Sequence, residues 1–314
     1  MTSPAVIDEL RRVLLAMRDD DLRVREELHR SGALDDGYHP RMEAVHRRNA
    51  ETLRTILEEH GWPTPALAGE DGADAAWLIA QHAIGEPDFQ RHCLALLERT
   101  AVEGATPAWH RAYLLDRIRR FEGWPQVYGT QYERAADGGD ALWPVADLAN
   151  VDERRRSVGL GPLKPPTGAP AVSADPEARE RQRRLARQMD EWARRIGWRP
   201  RILHLATAAA WEAAQPAGAY AADSLATEGF IHCSEPQQVI WVANMRFRTR
   251  QDLVLLEIAV ARLDVPLVYE NLEGGDELFP HVYGSLALTA VLRATPFPPN
   301  ADGGFDHDRL GTLY

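Results

Sequence analysis

The 314-residue sequence is poor in lysine, cysteine and positive charge, with one lysine, two cysteines and a formal net charge of −11. Neutralising the phosphates of a nucleic acid needs clustered Lys and Arg, so an extended nucleic-acid partner is not expected, although a few groups can still hold a small phosphate-bearing ligand. Cys93 and Cys233 fall in different halves of the chain and predict no disulfide framework. Arginine in place of lysine, with abundant alanine, is typical of a GC-rich bacterial genome.

Long apolar runs are also missing. No run reaches the length that crosses a membrane, so we expect no membrane partner. The first twelve residues lack the basic-then-apolar order of a secretory signal, and we expect a cytoplasmic protein. Hydrophobic residues make up 45% of the chain, which permits a sizeable core, and the length favours two domains.

The first half of the chain has helical periodicity. Apolar residues recur every three or four positions from residue 3 to about 61, and again over 88–103 and 107–123. Asp74 is placed to cap a short helix that ends near His82. We predict an all-α helical bundle over residues 1–163, with unusually many polar side chains at inward positions.

These polar side chains form a candidate site together with an ordered loop at 125–131 (PQVYGTQ). Its members are His46, Gln81, His82, Asp116, Gln126, Tyr128, Thr130 and Gln131. A structural hydrogen-bond network is the alternative, since buried polar groups need partners. With His92, the histidines and the aspartate of this set could also supply metal ligands inside a bundle, but we favour the network.

A change of composition marks the middle of the chain. Residues 164–176 (KPPTGAPAVSADP) are rich in Pro and Ala and predict a linker. A strongly charged helix follows over 177–195, and we expect Trp192 and Ile196 to dock it on the next domain. We assign 164–200 to the linker and this helix.

From residue 201 the pattern changes to mixed α/β, which predicts an α+β domain over 201–314. Predicted strands cover 201–206, 229–233, 253–260, 265–269 and 290–296, and predicted helices cover 208–215 and 236–247. Two of the strands each carry a lone histidine, His204 and His232. Two imidazoles placed within short apolar strands point to a shared pocket, although either one alone could be a core histidine bonded to nearby backbone.

Motifs spread over 201–305 resemble a known family. They are His204 with Thr207, 224–225 (SL), 228–234 (EGFIHCS), 255–257 (LLE), 277–284 (ELFPHVYG) and 301–303 (ADG). They are similar to the bacterial domain of unknown function 952 family, which is generally placed by fold near the ADP-ribosyltransferases and the RNA 2′-phosphotransferases. The resemblance implies an ADP-ribosyltransferase-like fold and NAD as a possible substrate.

The first half resembles a second bacterial family. The residues are 76–82 (AWLIAQH), 116–117 (DR), 125–131, 154–156 (RRR) and 159–160 (GL). They are similar to the domain of unknown function 6624 family, and this resemblance implies no chemistry.

The first resemblance also implies site residues. An ADP-ribosyltransferase needs a donor that orients the ribose, an aromatic face for the nicotinamide and negative charge where the oxocarbenium ion develops. The catalytic candidates are His204, His232, Glu277 and His281, and the cofactor-binding candidates are Thr207, Tyr220, Ser224, Ser234 and Tyr283. A transferase would more often have an aromatic residue or a serine where this chain has His232. Three histidines with few acids suit phosphate handling at least as well.

The expected function is a nucleotide-using transferase or hydrolase that acts on NAD or a nucleotide 2′-phosphate. One alternative is a non-catalytic nucleotide-binding or ligand-binding module whose helical domain binds a protein partner. Another is a zinc-dependent hydrolase that uses the three histidines at 204, 232 and 281. No close ligand spacing such as H-E-x-x-H is present, so we expect no metal. Arg246, Arg248 and Arg250 are interpreted as cations that complement a helix C-terminus, in preference to contacts with a diphosphate.

Overall fold

The computed structural model describes residues 3–35, 37–134, 140–164, 176–272 and 277–311. They form two compact units, which we call the helical unit (Met1–Arg120, Gln126–Val145 and Ala149–Ile196) and the α/β unit (Phe121–Pro125, Ala146–Leu148 and Gly197–Tyr314). The first half is helical and the second mixes helices with sheets, as the hydrophobic patterns predict. Almost all of the predicted linker at 164–176 lies outside the described residues.

The helical unit contains seven helices within its described residues. They are α1 (Pro4–Arg30), α2 (Pro40–His60), α3 (Pro65–His82), α4 (Pro87–Val102), α5 (Ala108–Phe121), α6 (Val151–Ser157) and α7 (Pro176–Arg195). Each of the first four helices begins with a proline. The first N–H groups of a helix have no intrahelical acceptor, so the N–H that proline lacks costs no hydrogen bond there. A hairpin of β1 (Tyr132–Arg134) and β2 (Asp140–Leu142), which the sequence patterns did not predict, also belongs to this unit.

Two local expectations for the helical unit need correction. The chain turns at Gly69, whose positive φ of 72° suits glycine, and α3 continues from there, so Asp74 lies inside a helix and does not cap one. Trp192, expected to dock the charged helix on the following domain, lies edge-on against Tyr38 of the helical unit, with ring centroids 5.2 Å apart. No helix in the described part of the chain is both long and apolar enough to cross a bilayer.

The α/β unit is built on small antiparallel sheets. Its elements are β3 (Arg201–Thr207), α8 (Ala208–Ala217), β4 (Ala219–Tyr220), α9 (Asp223–Thr227), β5 (Ile231–His232), α10 (Val239–Arg246), β6 (Leu253–Ala259), β7 (Leu267–Glu270), β8 (Phe279–Val282), β9 (Leu286–Ala287), β10 (Val291–Pro296) and α11 (Asp308–Gly311). One sheet has the order β10-β6-β3, a second has β5-β8-β7, and β4 pairs with β9.

The central sheet is buried on both faces, which explains the nearly continuous apolar runs of β3 and β6. Leu203 and Leu205 pack on one side with Val239 and Ala243 of α10. The alternate residues of β3, such as Ile202, pack on the opposite face of the sheet, against α8 and the second sheet. His204 belongs to this second face because side chains alternate along a strand.

A short contact joins the two larger sheets. The backbone N–H of Leu203 donates to the carbonyl of Ser234 at 2.8 Å, and the N–H of Ser234 donates to the carbonyl of Leu203 at 2.7 Å. Within the second sheet His232 of β5 lies opposite His281 of β8. The three predicted histidines are therefore carried by strands that adjoin this contact.

Candidate functional site

A cavity of about 570 Å³ lies in the α/β unit. Seven of the residues predicted to form the site line it: His204, Thr207, Tyr220, Ser224, His232, Ser234 and His281. Its walls come from β3, β5, β8, α9 and α10, so strands and helix ends from separate parts of the unit meet at one space.

His204 lies at the buried side of the cavity with both ring nitrogens engaged. Its Nδ1 is 2.6 Å from the carbonyl oxygen of His232 and its Nε2 is 2.7 Å from the hydroxyl of Tyr220. A carbonyl only accepts, so Nδ1 carries the proton and Tyr220 donates to Nε2. Burial lowers the pKa of His204 to about 4, which keeps the ring neutral at pH 7. In this arrangement His204 has no N–H left to orient a ribose.

His232 is the accessible histidine of the site. Its Nε2 lies 3.0 Å from a carboxylate oxygen of Glu228, and both side chains are about half exposed, at 48% and 49%. The ring of Phe230 lies against His232 with centroids 4.9 Å apart, and the ring of His281 lies 5.1 Å away. A carboxylate paired with an imidazole at a cavity wall can accept or deliver a proton.

A second carboxylate, that of Glu270, positions the ring of His281. Its Nδ1 lies 3.1 Å from Glu270, which also accepts a hydrogen bond from the hydroxyl of Tyr283 at 2.5 Å. Burial lowers the pKa of His281, and Glu270 opposes this shift. Tyr283 also lies against Phe230, with ring centroids 5.3 Å apart, but it does not line the cavity.

The predicted hydroxyl contacts to a cofactor are used inside the protein. The hydroxyl of Ser224 donates to the carbonyl of Phe230 at 2.8 Å, and that of Thr207 accepts from the N–H of Ala210 at the start of α8. Ser234 is buried at the contact between the sheets. These residues shape the cavity wall.

Glu277, predicted as the catalytic acid, is exposed and does not line the cavity. It follows directly after residues that lie outside the described chain. The carboxylates in the cavity lining are Asp223 and Glu228 instead.

Sequence reasoning gave no ligand-binding role to six residues that line the cavity: Asp223, Glu228, Trp241, Arg246, Arg250 and Phe279. The interpretation of Arg246 and Arg250 as helix-end cations did not foresee that α10 ends beside a cavity. A signal existed for Glu228, which belongs to the 228–234 motif four residues before His232. Trp241 is large and apolar, is 52% exposed and lies beside Phe279, with ring centroids 6.0 Å apart.

The zinc alternative based on residues 204, 232 and 281 does not fit the geometry. Both nitrogens of His204 are occupied by protein partners, so this ring has no free ligand atom. Among the described residues, the metal-ligand grouping that does occur is Asp21, His46 and His82 of the helical unit.

The loop at 125–131 is fixed mainly by buried polar groups. Asp116 accepts from the N–H groups of Val127 at 2.7 Å and of Thr130 at 3.1 Å, and from the Thr130 hydroxyl at 3.0 Å. Gln126 bonds the backbone of Gln131 through both ends of its amide. Arg155 donates to the carbonyl of Tyr128 at 2.7 Å. This pattern is the structural network that was the alternative to a binding site.

His46 and His82 lie elsewhere in the helical unit, apart from this loop network. Their rings are 5.3 Å apart, and each contacts the buried carboxylate of Asp21, which sequence reasoning missed. The neighbouring Gln81 is buried, and its amide nitrogen and oxygen have no hydrogen-bond partner among the described residues. The predicted site in this half therefore separates into a loop network and a histidine–aspartate cluster.

Two family models match the chain. Residues 8–166 match the family of unknown function (DUF6624), and residues 205–294 match the protein of unknown function (DUF952). The X-ray structure of protein CC0527 from Caulobacter crescentus is 32% identical, with 36% of this chain and 96% of that chain covered and a TM-score of 0.33. Its solution NMR structure is 31% identical, with 37% and 97% covered and a TM-score of 0.32.

A comparison with curated proteins found no match. The first model spans residues 8–166 of 314, which is half of the chain. The chain therefore belongs to the DUF6624 family through its helical half, and residues 205–294 of its second half match the DUF952 model.

Proposed function

We propose that the cavity of the α/β unit binds NAD or another nucleotide phosphate and that the protein is a transferase or hydrolase acting on this ligand. The single observation that carries the proposal is the combination of groups in one cavity lining: an aromatic surface, two guanidinium groups and a carboxylate–histidine pair. The aromatic surface can bind the base, the guanidinium groups can bind the phosphates, and the carboxylate–histidine pair can act at the ribose. An ADP-ribosyltransferase-like fold, which the family resemblance implies, is part of the same proposal.

The aromatic surface suits a planar base. The rings of Trp241 and Phe279 lie 6.0 Å apart at an interplanar angle of 30°, and Trp241 is half exposed. A flat ring can stack on such a surface without hydrogen-bond readout, since aromatic stacking depends on the face of the base.

The guanidinium groups suit phosphate. Arg246 and Arg250 come from the end of α10 and the turn after it, and both line the cavity. Arg250 also pairs with Asp252 at 2.7 Å, an exposed contact that leaves part of its fork for a second anion.

Glu228 and His232 are the proposed reactive pair. Glycosidic cleavage develops positive charge on the ribose, and a carboxylate at the cavity wall would stabilise that charge. His232, paired with Glu228 at 3.0 Å, would orient the carboxylate and move a proton to or from the attacking group. The proposal thus transfers the acid role from Glu277 to Glu228.

The test incubates the purified full chain with NAD and follows nicotinamide release by chromatography, while calorimetry follows binding of NAD and ADP. We expect release by the wild type and a loss of about 100-fold in Glu228→Gln, the size typical for removal of one acid–base or charge-stabilising group. Glu212→Gln, an exposed change on α8, is the matched control and should leave the rate unchanged.

Each alternative outcome has a distinct meaning. Saturable binding without release would favour the second candidate function, a non-catalytic nucleotide-binding module. A loss in Glu277→Gln but not in Glu228→Gln would overturn the assignment of the acid. Neither binding nor release at millimolar NAD or ADP would overturn the proposal.

A further inference from the structure

Three helices of the helical unit each direct one potential metal ligand to the same buried point. Asp21 comes from α1, His46 from α2 and His82 from α3, and their side chains are 2%, 9% and 15% exposed. We propose that these three residues bind a divalent transition-metal ion, with zinc as the first candidate. This inference is independent of the proposed function of the α/β unit.

The distances within the cluster are close to those that a bound ion requires. His46 Nε2 lies 3.3 Å from one carboxylate oxygen of Asp21, and His82 Nδ1 lies 2.9 Å from the other. All the ligand atoms lie within 4.8 Å of one another. Zinc bonds of about 2.0–2.2 Å place the ligands of a tetrahedron roughly 3.3 Å apart, so the cluster needs little rearrangement.

An unsatisfied atom points independently to a ligand. His46 Nε2 is buried and forms no hydrogen bond with any residue that the structure describes, although it faces Asp21. A buried imidazole nitrogen without a partner is costly, and a metal ion would satisfy it. The other nitrogen, Nδ1, lies 2.9 Å from the hydroxyl of Tyr38. A metal-bound histidine commonly donates its second N–H to such an oxygen.

The three side chains leave one position of a tetrahedral site for a water molecule or another ligand. Two histidines and one carboxylate with an open position occur in zinc sites and in non-haem iron sites alike.

The inference replaces the expectation, drawn from the sequence, that the chain carries no metal. That reasoning considered His46 and His82 with Asp116 and His92 as possible ligands. Asp116 is instead committed to the loop at 125–131, and Asp21 takes its place beside the two histidines.

The test uses the full chain, purified without a histidine tag, stripped with a chelator and titrated with ZnCl₂ in a calorimeter. We expect one equivalent of zinc per chain. Loss of a residue that hydrogen-bonds a metal ligand already weakens metal binding by about 10–100-fold, so Asp21→Asn and His46→Gln should weaken it by more than 100-fold and Tyr38→Phe by about tenfold. Asp74→Asn, which removes the negative charge from the 2.9 Å contact to His110 in the same unit, is the matched control and should bind like the wild type.

A spectroscopic measurement guards against variants that fail to fold. Replacing zinc by Co²⁺ in the wild type should give the visible d–d absorption of a low-symmetry nitrogen–oxygen site, and anaerobic titration with Fe²⁺ distinguishes an iron site from a zinc site. Preference for either ion supports the proposal. Failure of the stripped wild type to bind Zn²⁺, Co²⁺ or Fe²⁺ would overturn it, as would folded Asp21→Asn protein that binds zinc as tightly as the wild type.

Discussion

The two histidine clusters of this protein differ in how their rings are held. In the helical unit, His46 and His82 converge on one carboxylate, and one of their nitrogens has no hydrogen bond to the described residues. In the α/β unit, His204 and His281 each have a partner of their own, and the rings surround a cavity. Side chains that converge on one point are suited to bind an ion, whereas side chains spread around a cavity are suited to bind a larger ligand.

The largest expected effect comes from removing the shared carboxylate. Asp21→Ala leaves two buried imidazoles without their partner, and breaking a buried pair in this way costs about 3 kcal/mol or more. In chelator-containing buffer, hydrogen exchange read by mass spectrometry should show lost protection in α1, α2 and α3 while β3 and β6 are unchanged.

The matching change in the α/β unit is Glu228→Ala. Its contact to His232 is half exposed, so stability should change by less than about 0.5 kcal/mol. If Glu228→Ala lost as much hydrogen-exchange protection as Asp21→Ala, the expected difference between the shared, buried Asp21 and the exposed Glu228–His232 pair would be wrong.

Lowering the pH should have an intermediate effect on the stability of the α/β unit. Burial lowers the pKa of His204 from 6.5 to about 4, so below pH 6.5 the unfolded state takes up a proton that the folded state resists. The stability of the α/β unit should therefore fall by about 2 kcal/mol between pH 7 and pH 4.5 through this ring alone. His204→Gln removes the contribution, and the gap in melting temperature between wild type and variant should narrow as the pH falls. A gap that is constant with pH would show that His204 is not held neutral.

The smallest expected effect on stability comes from removing the hydrogen bond between Tyr220 and His204. Tyr220→Phe leaves Nε2 of His204 buried without its donor, which costs about 1 kcal/mol. Two-dimensional ¹H–¹⁵N spectra should show the Nδ1–H tautomer in both proteins, because the carbonyl of His232 still requires it. Tyr283→Phe, at an exposed tyrosine, is the control, and an equal loss of stability there would remove the special role of Tyr220.

Much of the fold follows from the sequence, because the long periodic segments leave few alternatives. The helices of the first half and the strands β3 and β6 are predicted from apolar spacing alone. The strand β8 was not predicted because Pro280 interrupts its pattern, yet it is the middle strand of its sheet. Proline is tolerated there, opposite Tyr269, while its carbonyl accepts the N–H of Cys233 at 2.8 Å.

The candidate sites were harder to predict, since they depend on which side chains meet. Asp21 follows two other aspartates on α1, a run that is typical of a solvated face. It nevertheless continues the buried stripe of Leu14, Val24 and Leu28 at helical spacing, and this signal could have identified it. Glu277 was chosen from its sequence neighbours alone, and no periodicity fixes the direction of a side chain outside a helix or strand.

The short contact between Leu203 and Ser234 has a consequence for recognition. The two sheets touch at this pair and then separate, and the cavity occupies the space between them. Along an antiparallel strand the outward main-chain groups recur at every second residue, so those of Leu205 face the same side as those of Leu203. A molecule in the opening can thus be recognised by peptide groups of β3, which are the same whatever the side chain. Specificity of this kind persists when the residues around it change.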